Sequence, residues 1–388
     1  MPISQTAQVF ALVKSLSKSE KRIFRLYVKR LPRNEQGMFL KLFDLMDRQG
    51  EINETELYKK LGDITKSQFS NLKRHLYSQI LIALRNVQIQ KHVDIEIRQQ
   101  MDFARILYSK GLTLQSLKLL ERVEKIAYNN HQDFLHLEII EFRKLIETRH
   151  ITRSRSVKDK VQELLDQSTF RNEVVYNISN ISNLIIMMHG LYIQIGHIRN
   201  DKDRLIITEY FESNLKKIRR SDLTFFEKTY LHQCHVWYHY MLGDFESVEE
   251  WSLKWINEFE FAPEMKMIDP DLYMRAYHYG LTALFHLKKA DEYSEMIEQF
   301  EVFYQANKLK FNQSSKAMSF VYLYLGRLNR LILQGDFIDH RVLIGRVERR
   351  LKKFEQYLDP HRHMLFYYKI GWILFGNEDY EKSVDYLN

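Results

Sequence analysis

An all-α fold is what this sequence predicts, and three observations carry the prediction. The 388 residues include only 13 glycines and 5 prolines, well below the usual shares of roughly 7 % and 5 %. Sheets and loop-rich folds need both residues at their turns, so long helices with short connections are expected. Apolar residues recur at spacings of three and four, the period of one helix face. Short Gly/Asp turns return at a long, regular interval. With 45 % hydrophobic and 13 % aromatic residues, disordered and collagen-like classes are excluded, and the length suits two or three domains or one repeat array.

The first expected helix opens at Ser17-Lys18-Ser19-Glu20, a capping box with Ser17 at the cap and Glu20 three positions on. Ile23, Phe24, Tyr27 and Leu31 continue it to Pro32. A second helix is expected from about Met38 to Arg48, before Gly50. Asn53 caps a third over Glu54 to Leu61, ended by Gly62. A fourth opens near Thr65 and carries the apolar stripe Phe69, Leu72, Leu76, Ile80, Ala83 and Val87 to about Gln90. Residues 1–100 hold 18 Lys+Arg against 10 Asp+Glu, so the whole formal excess of +8 lies there and the remainder balances. A basic N-terminal domain over 1–95 follows, either a solvated face or a surface for a polyanion.

Glu56 to Gly62 followed by Thr65 to Arg74 resembles a helix-turn-helix. The resemblance implies a second helix that enters the major groove with Lys66, Ser67, Ser70, Lys73 and Arg74 toward nucleic acid. The other reading of the same segment is a helical cap that closes a repeat array.

From about residue 96 the pattern becomes helix, short turn, helix. The turns are Lys110-Gly111-Leu112, Leu242 to Phe245, Lys289 to Tyr293, Gln334 to Phe337 and Asn377 to Tyr380. Asp269-Pro270 and Asp359-Pro360 pair a capping acid with proline at the first helical position, 90 residues apart, and Gly243 and Gly335 lie 92 apart. A period near 45 is expected, as in stacked helix pairs. Ile370-Gly371, Leu374, Asp379-Tyr380, Ser383 and Leu387 resemble a tetratricopeptide repeat, as do Ala104, Leu107, Gly111, Ser116, Leu120 and Val123. Leu284, Leu287, Tyr293, Met296 and Phe300 fit that frame with bulky residues at both small positions. The resemblance implies a tetratricopeptide-like α-solenoid of antiparallel helix pairs over 96–388. Residues 129–222 are helical without a clear phase, and Arg149 to Lys160 is expected to be a connection. The final helix keeps Val384 and Leu387 on a face another helix would cover. Continuation beyond residue 388 is therefore expected, or a second copy packed on this end.

No phosphate loop, dinucleotide fingerprint, nucleophile elbow or zincin motif is present, so no catalytic residue and no cofactor is assigned. The lone Cys234 makes neither an internal disulfide nor a thiolate cage. His232, His235 and His239 share one helix face, but flanking Tyr230, Trp237, Tyr238 and Tyr240 mark a packing surface, and no metal is assigned. In the tetratricopeptide family, the first helix of each pair lines a concave face. Carried over, the positions that meet ligands include Tyr230, Trp237, Tyr240, His278, Phe285, Tyr322, Tyr368, Trp372 and Phe375. Aromatic anchors of this kind suit an amphipathic helix or an extended apolar peptide, while the competing reading buries the same rings as core.

The expectation is therefore a non-enzymatic scaffold that binds a protein or peptide partner. The alternative is a DNA-binding regulator with an N-terminal helix-turn-helix and a sensor array, an arrangement that resembles peptide-responsive bacterial regulators. Met1 to Phe10 shows no secretory signal, and the apolar stretch Leu184 to Ile195 is too short to span a bilayer. A cytoplasmic protein without membrane contact is expected, in which the sequons at Asn177 and Asn180 carry no meaning.

Overall fold

The computed structural model describes residues 4–30, 33–62, 64–89, 92–150, 159–219, 222–335, 337 and 340–387. Every regular element among them is helical, and no strand occurs there. The chain is all-α. Its contacts divide it into two compact units, Met1–Leu164 and Leu165–Asn388. The sequence draws its boundary after residue 95, where the first unit itself changes core: one apolar cluster runs from Val9 to Ala83 and a separate one from Ile97 to Ile146.

The first unit begins with α1 (Gln5–Ser15), which the sequence does not announce before Ser17; Ser4 caps it by accepting the Ala7 N–H. In α2 (Lys18–Val28) the capping box forms as expected, with both reciprocal bonds between Ser17 and Glu20. Leu31 and Pro32 lie outside the described residues. Helix α3 (Arg33–Arg48) starts earlier than Met38. Asn53 caps α4 (Glu54–Leu61), and Gly62 ends it at φ 93°, a conformation that favours glycine. Thr65 and Gln68 make a second capping box on α5 (Lys66–Gln88). Phe69, Leu76, Ile80 and Ala83 of α5 are buried in the cluster formed with α1, α2 and α3. Then α6 (Val93–Ser109), α7 (Thr113–Asn129) and α8 (Asp133–His150) pack in sequence. The expected connection falls largely on residues 151–158, outside the described residues.

Helix α9 (Lys160–Ile195) crosses the division between the units. Although it has 36 residues, neither it nor any other helix among the described residues is long and apolar enough to cross a membrane. The second unit continues with α10 (Asp201–Leu215), α11 (Phe225–Leu242), α12 (Phe245–Phe261), the single turn α13 (Met265–Ile268), α14 (Pro270–His286) and α15 (Ala290–Asn307). It ends with α16 (Gln313–Gln334), α17 (His340–Phe354), α18 (Pro360–Gly376) and α19 (Tyr380–Leu387). Four hairpins follow one another: α11 with α12, α14 with α15, α16 with α17, and α18 with α19. Each also meets the next, through α12 on α14, α14 and α15 on α16, and α16 on α18. Their first helices start at Phe225, Pro270, Gln313 and Pro360, about 45 residues apart. Asp269 and Asp359 cap α14 and α18 with proline at the first position.

One turn geometry recurs in both units. At Gly111, His131, Gly243, Lys288 and Glu378 the backbone is left-handed. In each case the next N–H reaches back five residues: Leu112 to Leu107, Gln132 to Ala127, Asp244 to His239, Lys289 to Leu284 and Asp379 to Leu374, all at 2.9–3.0 Å. The left-handed residue itself bonds three residues back each time, which completes a Schellman motif and satisfies carbonyls that the helix end leaves open. His131 phases part of the segment that the sequence leaves unphased; without glycine or proline, that turn is marked only by Asn129, Asn130 and Asp133.

The helix crossings are equally regular. Seven residues before and five after the left-handed position, Ser116 donates to the Ala104 carbonyl and Ser383 to the Gly371 carbonyl, each at 2.8 Å. At the equivalent place, His136 lies 3.7 Å from Glu124. In the α14–α15 hairpin, bulky Leu281 and Tyr293 occupy the pair, and the Tyr293 hydroxyl donates instead to the Gly326 carbonyl on α16 at 2.9 Å. Gly326 permits that approach: a Cβ there would lie 2.8 Å from Ile297 Cδ1.

Candidate functional site

The nine aromatic and histidine positions read from the sequence all lie in the second unit, but they separate into two groups. Helix α11 presents Trp237 to rings on its own side: His189 at 4.1 Å, Tyr192 at 5.5 Å, and Tyr240 and Tyr279 both at 5.8 Å. Tyr240 further meets His197 at 4.8 Å, and the His197 ring also bonds the Tyr240 carbonyl at 2.9 Å. Tyr230 packs against two apolar clusters. On α14 and α16, His278 stacks on Tyr322 at 4.4 Å, and Tyr322 is only 7 % exposed. Burial, then the charge of Arg275, pushes the His278 imidazole down to about 4, so it is neutral at pH 7. These five residues, Tyr230, Trp237, Tyr240, His278 and Tyr322, are committed to neighbouring rings and to the core.

The second group is open. On α18, Tyr368, Trp372 and Phe375 are 53 %, 41 % and 61 % exposed. Spacings of four and three put them on one face, and Met364, exposed four residues earlier, extends the stripe. Phe285 of α14 meets the Trp372 ring edge-on at 6.2 Å. Between them sits Lys369, which the sequence reading does not single out. Its ammonium lies 4.3 Å from the centre of the Phe285 ring, 5.0 Å from Trp372 and 5.8 Å from Tyr368. No carboxylate pairs with it among the described residues. Burial pushes its pKa down to about 8, so at pH 7 a charged ammonium is held against rings with no anion beside it. Cation–π attraction offsets part of that cost.

The histidine row of α11 does not converge. His235 stacks on Trp251 at 3.8 Å, His232 approaches Glu258 at 3.4 Å, and His239 bonds Asp244 at 2.9 Å. No group of three or more His, Cys, Asp or Glu among the described residues is arranged to hold a metal ion. Cys234 is fully buried, and burial raises its thiol pKa, so it is not poised as a nucleophile. Asn177 is buried too, its amide donating to Glu227 at 2.8 Å, so that sequon is closed in the folded chain.

In the first unit, α4 and α5 occur where the helix-turn-helix resemblance puts them, but α4 packs chiefly on α3. Tyr58 ties the turn down, donating to the Ile64 carbonyl at 2.6 Å and meeting the Phe69 ring at 5.5 Å. Lys66, Ser67, Ser70 and Arg74 are exposed. Lys73 is a correction to the expected set. It is buried, its ammonium donates to Thr6 at 2.7 Å and Glu54 at 2.5 Å, and it lies 4.4 Å over the Phe69 ring. A lysine four residues beyond Phe69 shares the apolar face, so it is turned inward and away from any groove.

Compared with protein-family models and with curated proteins, the sequence matches none.

Proposed function

We propose that the chain is a non-enzymatic helical-repeat protein whose second unit, built of tetratricopeptide-like helix pairs, holds an acidic and apolar peptide on the aromatic face of α18. One observation carries the reading: Lys369 lies against Phe285 and Trp372 without a counter-charge among the described residues. A partner that brings a carboxylate to that ammonium and an apolar side chain to Trp372 and Phe375 neutralises a half-buried charge and covers exposed rings together. The test is selection from a displayed random-peptide library. The chain should enrich sequences combining Asp or Glu with apolar residues, and Trp372→Ala with Phe375→Ala should abolish that enrichment while leaving the helical circular dichroism unchanged. No enrichment, or the same consensus with the variant, removes the reading.

A second reading rests on the exposed Lys66, Ser67, Ser70 and Arg74 at the start of α5, a helix whose first turn carries no acid. Such an N-terminus suits a phosphate backbone, and the first unit would then serve a DNA-binding regulator. It predicts duplex DNA binding by the full chain that weakens steeply with salt and falls on Lys66→Ala with Arg74→Ala. Absence of binding at 50 mM salt or below rules it out.

A further inference from the structure

Helix α16 carries two tyrosines that serve different surfaces. Tyr322 faces His278, as described, and Tyr324, two residues on, is turned about 200° around the axis. Tyr324 forms the floor of a cleft of about 570 Å³ between the end of α15, the middle of α16 and α17. The Arg327 guanidinium lies 4.8 Å from the centre of its ring and Arg350 lies 4.9 Å from it. Arg346, Arg349 and Lys308 complete the walls. Of these five cations, Arg327 alone pairs with an acid among the described residues, Glu301 at 2.7 Å. Of the acids on the same helices, Glu298 pairs with Arg330, and Glu348 accepts from the Tyr386 hydroxyl.

The charge is local to α17, which has Arg341, Arg346, Arg349, Arg350, Lys352 and Lys353 against the single acid Glu348. Like charges gathered around one cavity repel each other unless something concentrated and negative sits among them. Guanidinium forks match phosphate oxygens two at a time, and the cleft has the volume of a small-molecule site. We infer that this cleft binds a small anion bearing two or more adjacent phosphates, either free polyphosphate or the phosphate tail of a nucleotide. It uses none of the residues of the aromatic face on α18 and stands or falls separately from it.

The test is calorimetric titration of the full chain with sodium tripolyphosphate and, separately, with ATP, at 50 mM NaCl without magnesium. Micromolar binding of at least one is expected. Arg346→Gln with Arg350→Gln should weaken it at least tenfold, and Arg349→Gln alone should weaken it severalfold. Arg341→Gln, on the same helix but outside the cleft, should leave it unchanged. Equal affinity for the two probes assigns the site to the phosphates alone; tighter ATP binding assigns it to a nucleotide. Three results overturn the assignment: no binding below millimolar concentration, unchanged affinity in the double variant, or a 20-nucleotide single strand binding a hundredfold more tightly with the same arginine dependence. Thermal melting without ligand checks that the variants fold. Removing crowded positive charge should leave their midpoints equal to or above that of the parent chain.

Discussion

Lys369 holds its charge 4.3 Å from the Phe285 ring with no acid to neutralise it, and burial brings its pKa to about 8. In the unfolded chain it titrates near 10.4, so below pH 8 the charged form opposes folding. Lys369→Met keeps the packing stem and removes the charge. Urea melts at pH 7 should show the variant more stable by about 1 kcal/mol, with the difference closing between pH 8 and 10.5 as the native lysine gives up its proton. The same substitution should erase any preference for acidic peptides. Lys73 is the opposite case. It has Glu54 and Thr6 as partners, and Glu54 is held below the usual carboxylate range chiefly by that hydrogen bond. Its spacing behind Phe69 carried the signal of its inward position, which the helix-turn-helix resemblance overrode by placing it toward nucleic acid. The burial of Lys369 was not legible, because it depends on Phe285, a ring from a helix far away in sequence.

At the level of helices and turns, the Schellman motifs explain which boundaries could be read. Gly111 and Gly243 announce theirs by composition, and the Asp-Pro caps of α14 and α18 do the same. His131, Lys288 and Glu378 adopt the same left-handed backbone without glycine, at a cost of about 1 kcal/mol each. Glu378→Gly and Lys288→Gly should therefore raise stability by about 0.5–1 kcal/mol each in urea melts. Gly326→Val should lower it by about 1–3 kcal/mol, because the added methyls meet Ile297 where the helices close up. The hairpin period was readable because caps and turns repeat. The exchange of Ser116-type bonds for the Tyr293–Gly326 bond was not, since it links neighbouring hairpins.

Across the whole chain, an average concealed a cluster. Residues beyond 100 balance to zero formal charge, yet α17 alone gathers six cations against one acid; a window the length of one helix exposes it. Buried imidazoles give the chain a pH response of definite sign. Burial is the leading cause that lowers His189, His232, His235 and His278, with His235 at about 3 and His278 at about 4. His235 and His278 stay neutral in the folded chain down to about pH 5 and take up protons near pH 6.5 when unfolded. The unfolded state thus binds more protons as pH falls below 6.5, and stability declines from there toward pH 4. A loss on the order of 1 kcal/mol each from His235 and His278 is expected between pH 7 and 5. His235→Phe, which keeps a ring on Trp251, should flatten that slope in denaturant titrations at the two pH values.

The environment of Trp372 gives the chain an optical signal of its own. Trp255 is sealed off, Trp237 and Trp251 are partly covered, and Trp372 is the tryptophan open to solvent. Its indole is 5.0 Å from the Lys369 ammonium, close enough for that charge to act on the excited ring. Its emission should therefore change as the lysine gives up its proton near pH 8, and a bound peptide of the proposed kind should shield it from a soluble quencher. Occupancy of the face can be followed without attaching a dye.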